Sequence, residues 1–229
     1  MTLAPIELHA GVEYRGVELA IAGANPLSGD GTLCIDLMVI SREKNGGSAS
    51  GDARRAMEQL ASHHAEKPIR VATLTPSGRP IALQAGERAN LQVSASHAGS
   101  LIVAACRASY GSDLGIGVDL VDPASAGRGL DWWDGDTASV SKTNAERAPL
   151  WASREAAYKA AMVDVPFTPA KVAVAMIGND GFEWRIDTPG GAVGGLGRFF
   201  QVADYLLAVA VELQEHLQSD CFDGVAQCS

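Results

Sequence analysis

Apolar residues fall along this chain in strand-like clusters and, twice, at helical spacing. "GVEYRGVELAIAG" (residues 11–23) and "LCIDLMVIS" (33–41) read as strands joined by "ANPLSGDG", whose Asn, Pro and Gly make a turn. "REKNGGSASGD" (42–52) is polar and reads as a loop. "DARRAMEQLASHH" combines good helix formers with apolar residues at helical spacing, with Asp52 as candidate N-cap. "IRVATLTPSGRPIAL" (69–83) reads as a hairpin turning at "PSG". "ANLQVSASHAGSLIVAAC" (89–106) reads as two adjacent strands with Ser-His-Ala-Gly at the bend, and "LGIGVDLVD" (114–122) as a strand ending in acid. Residues 123–144 have little periodicity, and a helix is expected from near Ala148. Strand character resumes in "AKVAVAMI", "FEWRID", "GRFFQVA" and "YLLAVAVEL".

The order of these elements repeats. "RRAMEQLA", "IRVATLT" and "SLIVAAC" are followed about 100 residues on by "REAAYKAA", "KVAVAMI" and "YLLAVAV", and "CIDLMV" is echoed by "GVDLVD". The expectation is a two-lobed, pseudo-symmetric α+β protein with lobes at residues 1–112 and 113–229. A cleft between lobes is a common place for an active site.

Composition narrows the function classes. With 229 residues, 47% hydrophobic and 20% charged, the chain can bury a substantial core. A net charge of −9 argues against a general nucleic-acid binder, which presents a basic field, yet permits a small basic pocket for phosphates. Cys34, Cys106, Cys221 and Cys228 show no C-x-x-C spacing and read as reduced thiols of a cytoplasmic protein. The N-terminal residues lack a secretory pattern, and runs such as "LIVAAC" fall short of the roughly 20 residues a membrane-spanning helix needs.

Candidate chemistry begins with Asp119, a carboxylate in an otherwise apolar strand, which suits either a cap for the following turn or a metal ligand. Glu155 and Lys159 stand at i and i+4, the spacing of a helix-surface pair contributing about 0.3 kcal/mol, or of two side chains aimed at one substrate. His97 lies at a tight bend between hydroxyl residues, where a ring N–H is placed either structurally or to donate to a phosphate.

Taken in order, "SGRP", "QVSASHAGSLIVAA", "GIGVDLVD" and "WASREAAYKA" resemble the motifs of the 4′-phosphopantetheinyl transferase family, over roughly residues 50–215. The resemblance implies transfer of phosphopantetheine from coenzyme A to a serine of an acyl, polyketide or peptidyl carrier protein, with Mg²⁺ or Mn²⁺. It implies Asp119 and Glu155 as metal ligands, Glu155 and Lys159 as catalytic groups, and Lys159 facing the phosphates. It implies coenzyme A contacts from Ser96 and His97, and from the Gly78-Arg79-Pro80 turn near the adenine. Trp132 and Trp133, where the family's carrier-contacting segment runs, are expected at the carrier interface or packed within their loop. The implied protein is a cytoplasmic monomer that uses neither nucleic acid nor membrane as partner. A catalytically silent relative binding coenzyme A or carrier domains is the alternative, against which the joint presence of Asp119 and Glu155 weighs.

Three features depart from the family pattern. Arg154 stands where Lys is common, Val121 stands where many members have a third acid, with Asp122 following, and Arg15 is the single Lys or Arg of residues 1–40. Arg42, Lys44, Arg54, Arg55 and Arg70 are the candidates to replace the missing N-terminal basic contacts. "GGAVGGLG" (190–197) lacks nucleotide-loop spacing and reads as a flexible turn opening onto a strand, and His63, His64 and Glu66 as a solvated helix end.

Overall fold

A computed structural model describes residues 4–6, 12–20, 32–41, 48–74, 78–109, 114–125, 144–164 and 166–213. It is a mixed α/β protein dominated by strands, with two α-helices among the described residues. One antiparallel sheet runs β2 (Val12–Ala20), β3 (Thr32–Ser41), β8 (Leu101–Ala108), β7 (Leu91–Ala98). The other runs β10 (Val172–Ile177), β11 (Gly181–Thr188), β12 (Gly191–Val202), β13 (Tyr205–Leu213), β9 (Ile116–Val121). Where β11 stops pairing, at Arg198, β1 (Ala4–Ile6) takes the free edge of β12 in parallel, Ala4 opposite Phe200. A small third sheet joins β4 (Arg70–Thr73), β5 (Pro80–Gln84) and β6 (Glu87–Arg88).

The period of two in each strand sorts side chains between two faces. Ile35, Leu37, Leu101 and Val103 of one large sheet meet Ile116, Val118, Leu207 and Val209 of the other in one buried cluster. The opposite faces are covered by helices. Helix α1 (Ala49–Ala65) buries Ala53, Ala56, Met57, Leu60 and Ala61 against Met38, Ile102, Ala104 and Cys106. Helix α2 (Asn144–Ala160) buries an alanine stripe against Ala208, Ala210, Phe182 and Phe199. The layers therefore run helix, sheet, sheet, helix.

Four sequence expectations change in detail. The first helix is capped by Ser48, whose Oγ accepts the Gly51 N–H at 3.2 Å, so Asp52 lies in its first turn and part of the expected loop is helical. The second helix starts at Asn144 and contains Pro149, four residues earlier than a start at Ala148, which would have placed that proline in the first turn. The glycine-rich stretch is strand β12, not a turn: a Cβ on Gly197 would lie 2.1 Å from the Phe182 ring, so glycine is what lets the aromatic side chain lie across the strand. His64 contacts Asp36 through Nδ1, so this helix end is tied to β3, and Glu66 is the left-handed C-cap of α1.

Candidate functional site

The two large sheets meet along a seam of edge strands, because β7 ends one and β9 ends the other. On β9 the residues Ile116, Val118 and Leu120 point into the core between the sheets, which leaves Gly117 and Asp119 facing α2. The seam is held by hydroxyl groups. Ser94 Oγ of β7 accepts the Val118 N–H at 3.1 Å, and Ser96 Oγ donates to Asp119 Oδ1 at 2.8 Å. Ser94 and Ser96 recur at the strand period on the buried side of β7, a pattern that fits a polar seam, although Ser94 had no assigned task from sequence.

Helix α2 brings the other two members. Lys159 Nζ donates to Asp119 Oδ1 at 3.1 Å and to Val118 O at 2.9 Å, and pairs with Glu155 Oε1 at 3.0 Å. The i, i+4 pair is thus present, but its ammonium is shared with a buried acid 40 residues away in sequence. Asp119 is 3% exposed, whereas Glu155 and Lys159 are half-buried. Burial pushes the Asp119 carboxyl up to about 7 even though the Lys159 charge and the Ser96 hydroxyl oppose it. Burial also raises Glu155, but the Lys159 ammonium and the hydrogen bonds around it outweigh that, so its carboxyl ends below the usual range. For Lys159, burial is outweighed by the two carboxylates, and its proton is held more tightly than usual.

Two cavities flank this triad. One, of about 560 Å³, is lined by Asp119, Glu155, Asp122, Ser125, Trp151 and the β7–β8 turn at Gly99. The other, of about 370 Å³, is lined by Gly78, Arg79, Pro80, Arg54, Tyr158 and Gln92. His97, which is exposed, and Lys159 belong to both walls, so they stand where the cavities join. Gly78 has φ +74°, a left-handed conformation that glycine adopts freely, and its N–H donates to Leu74 O at 2.8 Å. Arg79 Nη2 is buried without a hydrogen-bond partner.

The structure therefore draws Gly78, Arg79, Pro80, His97, Asp119, Glu155 and Lys159 to the two joined cavities. Ser96 turns its hydroxyl toward Asp119. Asp122 borders the acidic cavity while its Oδ1 accepts the Ala124 N–H at 2.9 Å in a local turn. Of the candidate basic residues, Arg54 lines a cavity wall, whereas Arg55 is tied to Asp52 and Arg70 lies beside Glu58, both outside these two walls. Trp132, Trp133, Arg42 and Lys44 lie outside the described residues, as do Cys221 and Cys228.

The donor set suits a hard divalent cation. Asp119 Oδ2 is a buried carboxylate oxygen with no partner, and Glu155 offers a second carboxylate within reach of the same ammonium. Magnesium binds through one or two carboxylates and completes its shell with water and substrate phosphates, so two acids are enough. Among the described residues no group of three or more His, Cys, Asp or Glu side chains is arranged to hold a metal ion by itself. Nor is any helix among them long and apolar enough to cross a membrane.

No protein-family model matches the chain, and no curated protein matches it.

Proposed function

We propose that this protein is a Mg²⁺-dependent 4′-phosphopantetheinyl transferase, which moves phosphopantetheine from coenzyme A to a carrier-protein serine and releases 3′,5′-adenosine bisphosphate. The observation that carries this reading is the Asp119–Lys159–Glu155 triad beside two adjoining cavities, one with Arg54 and Arg79 in its wall, the other with Asp119, Asp122 and Glu155. A long substrate with a nucleotide at one end and a pyrophosphate in the middle suits that layout. Arg54 and Arg79 would hold phosphate in the first cavity, and His97 and Lys159 would face the pyrophosphate where the cavities meet.

The serine oxygen attacks the β-phosphorus, the bond from that phosphorus to the bridging oxygen breaks, and the nucleotide leaves with the bridging oxygen. Glu155, kept ionised by Lys159, accepts the serine proton on a carboxylate oxygen. Lys159 offsets charge that builds on the transferring group and on the leaving phosphate. Asp119 and Glu155 would hold the magnesium ion, which supplies Lewis-acid neutralisation of the pyrophosphate when bound.

The same reading brings a two-lobed architecture, residues 1–112 and 113–229 packed as an intramolecular pseudo-dimer. In its support, β7-β8-β3 with α1 and β12-β13-β9 with α2 share one pairing order. Strand register refines the internal repeat: Ile102 faces Ile40 as Leu206 faces Val121, Ile102 and Leu206 each lying on the helix-covered face of its sheet, an alignment that matches Asp119 with Met38 and not with Asp36.

The test is the intact mass of a panel of apo-carrier proteins incubated with this protein, coenzyme A and Mg²⁺, with Glu155→Gln alongside. A gain of one phosphopantetheine arm that needs both Mg²⁺ and Glu155 is the expected result. Coenzyme A binding with no gain on any carrier would leave the second reading, a binding module, for which Lys159 already pairing both acids is the favouring observation.

A further inference from the structure

One buried polar side chain in the basic cavity has no task in the reaction just described. Gln92 is 8% exposed, stands on β7 at the same strand face as Ser94 and Ser96, and forms part of the wall of the 370 Å³ cavity. It also borders a smaller polar cavity of about 170 Å³ next to it. Its side chain thus stands at the wall of two neighbouring cavities. A carboxamide on a cavity wall offers a ligand one donor and one acceptor side by side.

The rest of that wall limits what the amide can meet. Met57, Val71, Pro80, Ile116 and Met162 supply apolar surface beside the polar side chains of Arg54, Arg79 and Gln92, and Tyr158 adds an aromatic side chain. Arg79 Nη2 is a buried donor there without a partner. A lining that mixes apolar, aromatic and polar side chains suits a flat group that carries a donor and an acceptor side by side on one edge. Adenine has that edge: its 6-amino group donates beside a ring nitrogen that accepts, the complement of a carboxamide.

We propose that the Gln92 carboxamide reads the adenine edge of coenzyme A and thereby sets the base selectivity of the site. This inference rests on the transferase reading for the identity of the ligand. It assigns Gln92 to substrate discrimination and leaves the triad to the transfer step.

The test is a cycle between one side chain and one ligand group. Coenzyme A, and an analogue with hydrogen in place of the 6-amino group, are titrated by calorimetry into the full chain and into Gln92→Met, a near-isosteric apolar replacement. Wild type is expected to bind coenzyme A about tenfold more tightly than the analogue, the effect of one buried hydrogen bond. Gln92→Met is expected to bind both ligands equally, near the wild-type affinity for the analogue. A wild type without preference, or a Met variant that keeps it, overturns the proposal. Absence of coenzyme A binding to wild type removes the transferase reading and this inference with it, which separates the two failures. Gln92→Leu provides the same comparison should the Met variant not fold, and the wild-type preference alone remains able to refute the idea.

Discussion

The two helices are each 17 residues long and each covers one sheet, yet they are built on different inner faces. Helix α1 fills the gap to its sheet with Met57 and Leu60 among alanines. Helix α2 has only alanines at its fully buried apolar positions: Ala148, Ala152, Ala156, Ala157, Ala160 and Ala161 directly after its end. The strand below matches it. A Cβ on Gly117 would lie 1.9 Å from Ala156 O, and one on Gly115 1.8 Å from Ala160 O, so backbone lies on backbone. That close approach lets Lys159 reach a carbonyl and a carboxylate of β9. Bulk between helix and sheet contributes stability, whereas its absence here allows side chains on the helix flank to meet the strand.

Filling the gap under α2 should have the largest effect. Gly117→Ala puts a methyl group where a backbone carbonyl already sits, so the helix must move. Overpacking of this kind costs typically 1–3 kcal/mol and, at a backbone contact, about 3 or more. A displacement of about 1 Å at a catalytic group costs on the order of 100-fold in rate, so phosphopantetheine transfer should fall by at least that factor. The converse change under α1, Leu60→Ala, should cost about 2–5 kcal/mol through the cavity it leaves. Its transfer rate per folded molecule should stay within twofold of wild type. Thermal unfolding together with carrier-mass kinetics separates the two; equal losses of activity would sink the idea that α2 alone is set close for function.

The same comparison explains what could be read in advance. The central strands were legible as short apolar runs, buried on both faces between the opposite sheet and a helix, and α1 because its apolar residues recur at helical spacing. Asp119 was legible as an anomaly, an acid in an apolar strand, and the Glu155–Lys159 spacing follows from helix geometry alone. What joins them was not legible, because it depends on two edge strands from different sheets lying side by side, which no local pattern encodes. For that reason the hydrogen bond from Ser96 to Asp119 had no signal in the sequence. The glycine-rich first half of β12 was hidden for a related reason: its glycines accommodate Phe182 and Trp184 from the neighbouring strand, a tertiary cause that local propensity reads as a turn. The ordered set of motifs is what links these residues to one family reading, and that link remains the proposal above.

A finer contrast lies within α1, where adjacent arginines face different surroundings. Arg54 lines the basic cavity, while Arg55 is strongly exposed and ion-paired with Asp52 in the same turn. Arg54→Ala should raise the Kd for coenzyme A about tenfold, the loss of one charge-assisted contact, and Arg55→Ala by less than twofold. Lowering the ionic strength should widen the gap, since a contact that attracts phosphate gains strength as screening falls. Equal effects of the two substitutions would mean that the cavity wall does not select among the basic residues of this helix.

The smallest effect concerns reporting rather than perturbation. Cys106 is fully buried on the face of β8 covered by α1, and burial, with Asp36 nearby as a second cause, pushes its thiol up to about 12. A raised thiol pKa keeps the reactive thiolate scarce below that value, so at pH 8 roughly one molecule in 10⁴ would carry it even if reagent could enter. Cys34 is exposed and should react freely. With Cys34, Cys221 and Cys228 replaced by serine, Cys106 should therefore label only as fast as the α1 layer opens. Leu60→Ala should accelerate that labelling, because it loosens the packing directly over this sheet face. Gly117→Ala should accelerate it only to the extent that global stability falls, because its damage lies under the other helix. Faster labelling in Gly117→Ala than in a Leu60→Ala protein of equal overall stability would show that the two helix layers open as one unit, and the contrast drawn between them would fail.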